Sequence, residues 1–91
     1  MSSRKQVKDR LLMEYGKYCW CCGKKIKREG LTIHHIHQFC ETHTTTYEDS
    51  MILCYQCHFE YINNILYGSE EYWNEMYEIL HRMGREEFFK E

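Results

Sequence analysis

Two Cys-x-x-Cys pairs constrain the fold of this chain more than any other feature. The pairs are Cys19 with Cys22, and Cys54 with Cys57. Two residues between ligands allow both sulfurs of a pair to reach one ion, and two such pairs form the closed tetrahedral site that structural zinc prefers. A chain of 91 residues buries only a modest core, so a metal site is a useful source of stability. The alternative interpretation is four free, buried cysteines.

The N-terminal segment bears on the redox state of these cysteines. The first ten residues, MSSRKQVKDR, carry charges but have no apolar run behind them, so we expect no secretory signal. The expected compartment is therefore the reducing cytoplasm, where paired cysteines indicate metal rather than disulfides. No apolar segment is long enough to span a membrane, and we expect no membrane partner. Cys21 and Cys40 lie outside the pairs and are expected to be small buried side chains.

Charge is distributed unevenly along the chain. Residues 1–28 carry nine basic side chains and two acidic ones, Asp9 and Glu14, which gives a net charge of +7. Residues 29–91 carry three basic and twelve acidic side chains, which gives a net charge of −9. The total is the formal net charge of −2. A basic half can contact phosphate while an acidic half faces away from it. The alternative is that both halves present ordinary solvated helix faces.

The first part of the chain predicts a helix followed by a cysteine-rich turn. In residues 3–15, Ser3 can cap the helix, and Val7, Leu11 and Tyr15 recur on one side. Residues 17–28 predict a tight turn between short strands, a zinc knuckle, in which Gly23 allows the chain to curl around a metal.

The central part predicts a β-hairpin and a second helix. Residues 31–36 alternate and are rich in β-branched side chains, which is typical of a strand, and residues 51–53 predict a second strand. A polar loop, 37–48, connects them. Residues 55–66 predict a helix whose buried face is formed by four apolar side chains, Tyr55, Phe59, Ile62 and Leu66.

The last part predicts a third helix over residues 70–83. Ser69 can cap this helix, Gly84 can end it, and its expected apolar stripe consists of Trp73, Met76, Tyr77 and Leu80. The order of elements is therefore α, knuckle, β, β, α, α. We expect a single domain over residues 1–91, with a basic N-terminal helix in 1–16, a zinc-bound core in 17–66 and a C-terminal helix in 69–84.

Three histidines occupy the ends of predicted elements. His34 and His35 lie at the end of the first strand, and His58 follows the last cysteine of the second pair, where the second helix begins. A helix that follows a hairpin packs across it. We therefore expect the three imidazoles to come close together, although they are distant in sequence.

These motifs together resemble the HNH endonucleases. The resemblance covers roughly residues 19–66 and consists of Cys-x-x-Cys-Gly, then an apolar residue before His-His-Ile, then Asp-x-x-x-Leu-Cys-x-x-Cys-His. It implies a small α+β fold, a ββα-metal (His-Me finger) core with structural zinc, here flanked by the N- and C-terminal helices. It also implies metal-dependent hydrolysis of phosphodiester bonds in DNA, and an origin in a bacterium, a phage or another mobile element.

The resemblance further assigns roles to individual residues. His35 matches the general base, and His34 and His58 match the ligands of a catalytic divalent metal, which is Mg²⁺, Mn²⁺, Ni²⁺ or Zn²⁺. Asp49 occupies the place of the family's middle Asn and is expected to orient the loop or the base. A further ligand is common one turn after His58, where this chain has Ile62 with Asn63 next to it.

Several assignments have alternatives. The candidate DNA-binding residues are basic side chains of the first helix and the knuckle, namely Arg4, Lys5, Lys8, Lys24 and Lys25. A non-catalytic zinc module that binds DNA or a protein is the second hypothesis, since zinc knuckles bind more often than they cut. A third is a protein-interaction surface on the C-terminal helix, anchored by Tyr67, Tyr72, Trp73 and Tyr77. Of the remaining histidines, His37 and His43 are expected at the surface, with contact to phosphate as the alternative, and His81 is expected in packing or facing solvent.

Overall fold

The computed structural model of the chain describes residues 4–37 and 45–85. These residues form an α+β structure with two antiparallel strands and the helices around them. The predictions for Ser3, Cys40, His43 and the tail after Arg85 lie outside the described residues. The elements in chain order are helix α1 (Arg4–Tyr15), strand β1 (Leu31–His35), strand β2 (Ser50–Cys54), a π-helix (Gln56–Tyr61), a 3-10 turn (Ile62–Asn64) and helix α2 (Glu70–Arg82).

Helix α1 lies against the hairpin, as its apolar pattern predicts. It contacts both strands and buries Val7, Leu11 and Leu12. Arg4 and Lys5 are exposed and Lys8 is half-buried, so the basic side chains stay on the outer side. The helix therefore presents positive charge at the edge of the hairpin.

The hairpin connects Cys54 of the second cysteine pair to the histidines of β1 in a fixed register. Leu31 pairs with Cys54 at one end of the ladder, and His35 pairs with Ser50 at the other. All five residues of β2 are buried, because this strand lies in the centre of the core. The chain that leaves Cys54 runs back along β1, and this path brings His58 towards the middle of β1.

The cysteine knuckle attaches to the outer edge of β2. The Trp20 backbone N–H donates to the carbonyl of Ile52 at 2.9 Å, and Tyr18 and Lys25 form a short bridge across the turn. Gly23 has φ of +79°, in the left-handed region that side-chain-bearing residues avoid. The predicted tight turn is confirmed.

The segment after the second cysteine pair differs from the predicted helix. It winds as a π-helix, in which the N–H of Ile62 reaches the carbonyl of Cys57 five residues back. Of the four side chains predicted to form a buried face, only Ile62 is buried. The other three are exposed: Tyr55 by 54%, Phe59 by 50% and Leu66 by 79%.

The reason for this difference is that other residues occupy the inward positions. Cys57 is buried and His58 is half-buried, and both face inward from the π-helix. Tyr55 and Phe59 lie on the opposite side and face solvent. The four-residue spacing predicted a helix face correctly but assigned the wrong face to the core.

Helix α2 begins and ends as the sequence predicts. The hydroxyl of Ser69 accepts a hydrogen bond from the N–H of Tyr72 at 3.1 Å, which caps the first turn. At the other end Gly84 has φ of +74°, and the Arg85 and Gly84 N–H groups donate to the carbonyls of Leu80 and His81. These bonds form a Schellman motif.

The buried stripe of α2 is rotated from the predicted one. Met76 and Leu80 are buried as expected, but Tyr72 and Ile79 complete the stripe in place of Trp73 and Tyr77. Trp73 is only partly buried and Tyr77 is 47% exposed. Tyr72 can be buried because its hydroxyl finds polar partners inside the protein.

One cluster of buried side chains connects α1, the knuckle, the hairpin and α2. Arg85 is 2% exposed and closes one side of this cluster, where its guanidinium donates to the carbonyls of Tyr47 and Ser50. The division of the chain into a single domain with the bounds given above stays a prediction. Among the described residues, no helix has the length and apolar character needed to cross a membrane.

Candidate active site and metal centre

Four cysteine sulfurs converge where the knuckle meets the end of the hairpin. The Sγ atoms of Cys19, Cys22, Cys54 and Cys57 all lie within 4.8 Å of one another. In each pair the backbone N–H of the second cysteine points at the sulfur of the first, with Cys22 N to Cys19 Sγ and Cys57 N to Cys54 Sγ both at 3.4 Å. This is the arrangement that the two Cys-x-x-Cys pairs predict for structural zinc.

The electrostatics of the four sulfurs favour a bound cation. Burial acts to raise the pKa of the Cys19 thiol, but hydrogen bonds from the backbone of Cys22, Cys54 and Cys21 outweigh it and lower this pKa to about 7. Burial raises the pKa of the Cys57 thiol instead. Four thiolates this close repel one another, and a divalent ion bound among them removes that repulsion. The residues therefore fit a structural zinc ion.

A second site lies on the other side of the π-helix. His34, His35 and His58 all line one cavity of about 420 Å³, which we call the histidine pocket. Strand β1 contributes the first two and the π-helix contributes the third. Arg4 from α1 and Tyr72 from α2 also line it. The structure thus brings together the three histidines that the sequence analysis singled out.

The hydrogen bonds of His34 determine which of its ring nitrogens carries a proton. Its Nε2 lies 2.9 Å from the hydroxyl oxygen of Tyr72, and that hydroxyl donates its single hydrogen to the carbonyl of Ile36 at 2.6 Å. The hydroxyl can then only accept from His34, so Nε2 carries the hydrogen and Nδ1 carries the lone pair. Burial, followed by the neighbouring His58, lowers the pKa of His34 to about 3, so its ring is neutral at pH 7.

His58 is fixed in the same way through a different hydroxyl. Its Nδ1 lies 2.7 Å from Oγ1 of Thr32, which donates its hydrogen to the carbonyl of Leu53 at 2.9 Å. His58 Nδ1 is therefore the donor, and Nε2 holds the lone pair. Burial lowers the pKa of His58 as well. The rings of His34 and His58 meet edge to face, with centroids 5.1 Å apart.

His35 follows His34 on β1, lines the same pocket and is less buried than His34. Its Nε2 lies 2.9 Å from the hydroxyl of Thr45, which follows the loop. Burial and then the positive charge of Arg4 lower the pKa of His35, while Asp49 opposes that shift. The ring is therefore unprotonated at neutral pH and can accept a proton.

Asp49 contacts a histidine that the sequence analysis placed at the surface. Its carboxylate lies 2.7 Å from Nδ1 of His37 and 3.3 Å from the His37 backbone N. The His37 ring also packs against Trp73, with centroids 5.2 Å apart. His37 is thus more than a surface residue, because it fixes Asp49 at the turn that leaves β1. His81 is exposed and stacks on Tyr77, as expected.

The predicted DNA-binding residues divide between two surfaces. Arg4, Lys5 and Lys8 line a groove of about 610 Å³ between α1 and the π-helix, next to the histidine pocket. Lys24 lies beside the zinc ligands Cys22 and Cys57, and Lys25 is exposed on the knuckle. Ile62 and Asn63, at the place of the further ligand, both line the histidine pocket, and Ile62 is buried and apolar, so it offers no ligand atom.

Sequence reasoning missed the two hydroxyl groups that orient the histidines. Thr32 alternates with His34 on one face of β1, so strand periodicity alone could have indicated it. Tyr72 lies 38 residues from His34, and no spacing rule connects residues of different elements at such a distance. Only the packing of α2 against the hairpin brings them together.

Comparison with known proteins supports the assignment that this geometry suggests. The model of the family described as HNH endonuclease matches residues 19–61. This match contains the four clustered cysteines, the hairpin and all three histidines of the pocket. The searches of curated proteins and of solved structures found no match. Residues 19–61 therefore match the HNH endonuclease family, and the hairpin, the helix that follows it and the four clustered cysteines are consistent with a ββα core and a structural zinc ion.

Proposed function

We propose that this protein is a metal-dependent DNA endonuclease in which the histidine pocket performs the hydrolysis. The observation that carries this proposal is the convergence of His34, His35 and His58 on one cavity within the segment that matches the family. A nuclease function in general follows from the family. The substrate, the roles of the residues and the catalytic metal belong to the proposal.

His35 is the proposed general base. Hydrolysis requires that a water molecule lose a proton as it attacks phosphorus, and a neutral imidazole can accept that proton near neutral pH. Its contact with the Thr45 hydroxyl holds the ring in place. Arg4 lines the same pocket and is the proposed contact for a phosphate oxygen.

His34 and His58 are the proposed ligands of the catalytic metal. Each is neutral, and each has one nitrogen bound to a hydroxyl and the other left with its lone pair, as metal-binding histidines require. A divalent ion held there would stabilise charge on the scissile phosphate and on the leaving oxygen. Imidazole nitrogens suit Zn²⁺ and Ni²⁺, and one or two such ligands also admit Mg²⁺ or Mn²⁺.

Asp49 is proposed to position the general base rather than to transfer a proton itself. Its carboxylate is held by the His37 backbone N–H and ring, and its own carbonyl accepts from the N–H of Ile36 at 2.9 Å. These contacts fix the chain directly after His35. Asp49 therefore supports the orientation of the proposed base.

A plasmid-nicking assay tests the proposal. The zinc-loaded protein should convert supercoiled plasmid to nicked or linear DNA only with an added divalent ion. His35→Ala should reduce the rate by about a hundred- to ten-thousand-fold, because that is the usual contribution of a general base. His81→Ala, which changes an exposed histidine of α2, is the matched control and should cut normally.

The same assay decides between this proposal and the non-catalytic alternative. A zinc module that only binds DNA would show no metal-dependent nicking, and His35→Ala would change nothing. Retained cleavage by His35→Ala at saturating metal would show that another group is the base.

A further inference from the structure

Two aromatic side chains form an exposed ledge beside the histidine pocket. Tyr55 and Phe59 are 54% and 50% exposed, and their rings stack with centroids 5.7 Å apart and planes 21° apart. Phe59 also stacks on His58, at 4.4 Å and 21°. The three rings are therefore arranged as a continuous stack that ends in solvent at Tyr55.

Leaving these two rings in contact with water costs free energy, and a ligand that covered them would remove that cost. Large apolar side chains that lie together at the surface usually mark a binding site. The faces of aromatic rings favour other flat π-systems, and nucleic acid bases stack on such rings regardless of their sequence. The ledge therefore suits a flat aromatic ligand.

The wall opposite the ledge is basic. The groove between them is lined on that side by Arg4, Lys5, Lys8 and Arg28. Arg28 also pairs with Asp9, which leaves an excess of positive charge along this wall. Burial, and then the charge of Arg28, lower the pKa of Lys8, although the charges of Glu29 and Asp9 oppose this shift. A chain of phosphates would offset the positive charge of this wall.

The combination of a basic wall and an aromatic wall distinguishes between forms of DNA. A duplex offers phosphates, but its bases are stacked on one another and present only their edges in the grooves. A ring face can therefore stack only on a base that has left the duplex. Phosphates on one wall and bases on the other describe a single strand.

We infer that this groove binds unpaired DNA next to the scissile bond, with a base stacked on the outer face of Tyr55, which Phe59 supports from behind, and phosphates against the basic wall. The inference rests on the proposed function and narrows its substrate to DNA with unpaired nucleotides at the cleavage site. Arg4, His58 and Phe59 line both the groove and the histidine pocket, so a strand in the groove leads directly to the histidines.

Binding without cleavage tests this inference. The zinc-loaded protein, without any added divalent ion, is titrated into a labelled single strand of about 12 nucleotides, a length within the range of such binding grooves. A second titration uses the duplex of the same sequence. Fluorescence anisotropy measures binding in both. The single strand should bind more tightly. Tyr55→Leu should weaken single-strand binding by about tenfold or more, because losing one stacked base costs that much. Phe59→Leu should also weaken it, because it removes the ring that holds Tyr55 in the stack. Tyr77→Leu removes a comparably exposed ring from α2 and should have no effect.

The salt dependence separates stacking from charge. The leucine variants should keep the wild-type slope of log affinity against log salt, and Lys5→Gln should reduce it, because only phosphate contacts release counterions. Equal affinities for the two forms of DNA, or leucine variants that bind like the wild type, would overturn the inference. Because no divalent ion is added, this result is independent of cleavage. Failure to cut both the plasmid and the single strand when a divalent ion is present would count against the proposed function alone.

Discussion

His34 and His35 are adjacent residues that the structure places in different environments. His34 contacts Tyr72 of α2 and is 7% exposed, while His35 contacts Thr45 and is half-buried. A buried neutral imidazole suits a metal ligand, and a more accessible one suits a base. This difference underlies the distinct roles that we propose for the two residues.

The proposed ligands and the proposed base should respond differently to metal concentration. His34→Ala and His58→Ala each remove one ligand, so cleavage should fall at low metal concentration and partly recover at high concentration. His35→Ala should not recover at any concentration. Cleavage rates measured across a series of Mn²⁺ concentrations give the comparison, and identical metal dependence for all three variants would contradict these roles.

The role of Tyr72 in orienting His34 can be tested by removing its hydroxyl oxygen. Tyr72→Phe removes the acceptor for Nε2–H of His34 and the donor to Ile36, so the free energy of unfolding should fall by about 1–3 kcal/mol. The ring should then populate both tautomers, and affinity for the catalytic metal should fall by about 10- to 100-fold.

Nitrogen NMR shifts of His34 report the tautomer directly, and isothermal titration reports the metal affinity. Tyr77→Phe changes a partly exposed hydroxyl on the same helix and is the control. A single unchanged tautomer in Tyr72→Phe would show that some other contact fixes the ring.

At the scale of elements, the π-helix determines how the site is assembled. Its wider turn lets Cys57 face the other three cysteines of the cluster and His58 face the hairpin, while Tyr55 and Phe59 remain outside. Turns of this kind occur frequently at functional sites. Helix α1 completes the groove from the other side and supplies its positive charge.

The two groups of basic residues should therefore contribute unequally to DNA binding. Lys5→Glu with Lys8→Glu changes the wall of the groove, and Lys24→Glu with Lys25→Glu makes the same charge change on the knuckle. We expect the helix pair to weaken binding more and to lower the salt slope by about one for each phosphate that is no longer neutralised. Anisotropy titrations at several salt concentrations measure both quantities. A larger effect from the knuckle pair would place the DNA on the zinc side instead.

At the scale of the whole molecule, the cysteine cluster connects parts of the chain that are distant in sequence. It joins the knuckle to the end of β2 and to the start of the π-helix, so it fixes the position from which His58 reaches the hairpin. A zinc ion bound there would contribute to folding outright, since ligands from distant segments meet only in the folded state.

Zinc removal should therefore unfold the protein as well as inactivate it. The purified protein should contain one zinc per chain by elemental analysis, and Cys54→Ser should lose both the metal and the cooperative thermal transition. Cys21→Ser is the control, because Cys21 lies next to the cluster but outside the two pairs. A cooperatively folded protein without zinc would contradict the structural role of the cluster.

The sequence alone determined the features that depend on local spacing. The Cys-x-x-Cys pairs predicted the zinc cluster, Ser69 and Gly84 predicted the ends of α2, and alternation predicted the hairpin. These predictions succeed because each depends on a few neighbouring residues: two cysteines close enough to share one metal ion, the residues that cap a helix, and the alternation of side chains along a strand.

Tertiary packing decided the rest. It turned Tyr55 and Phe59 outward, because Cys57 and His58 occupy the inward side of the π-helix. The wider turn of a π-helix cannot be read from the spacing of apolar residues in the sequence. It paired His37 with Asp49, and it placed Tyr72 against His34 across 38 residues of chain. Such contacts depend on how separate elements pack against one another, and no short stretch of sequence contains that information.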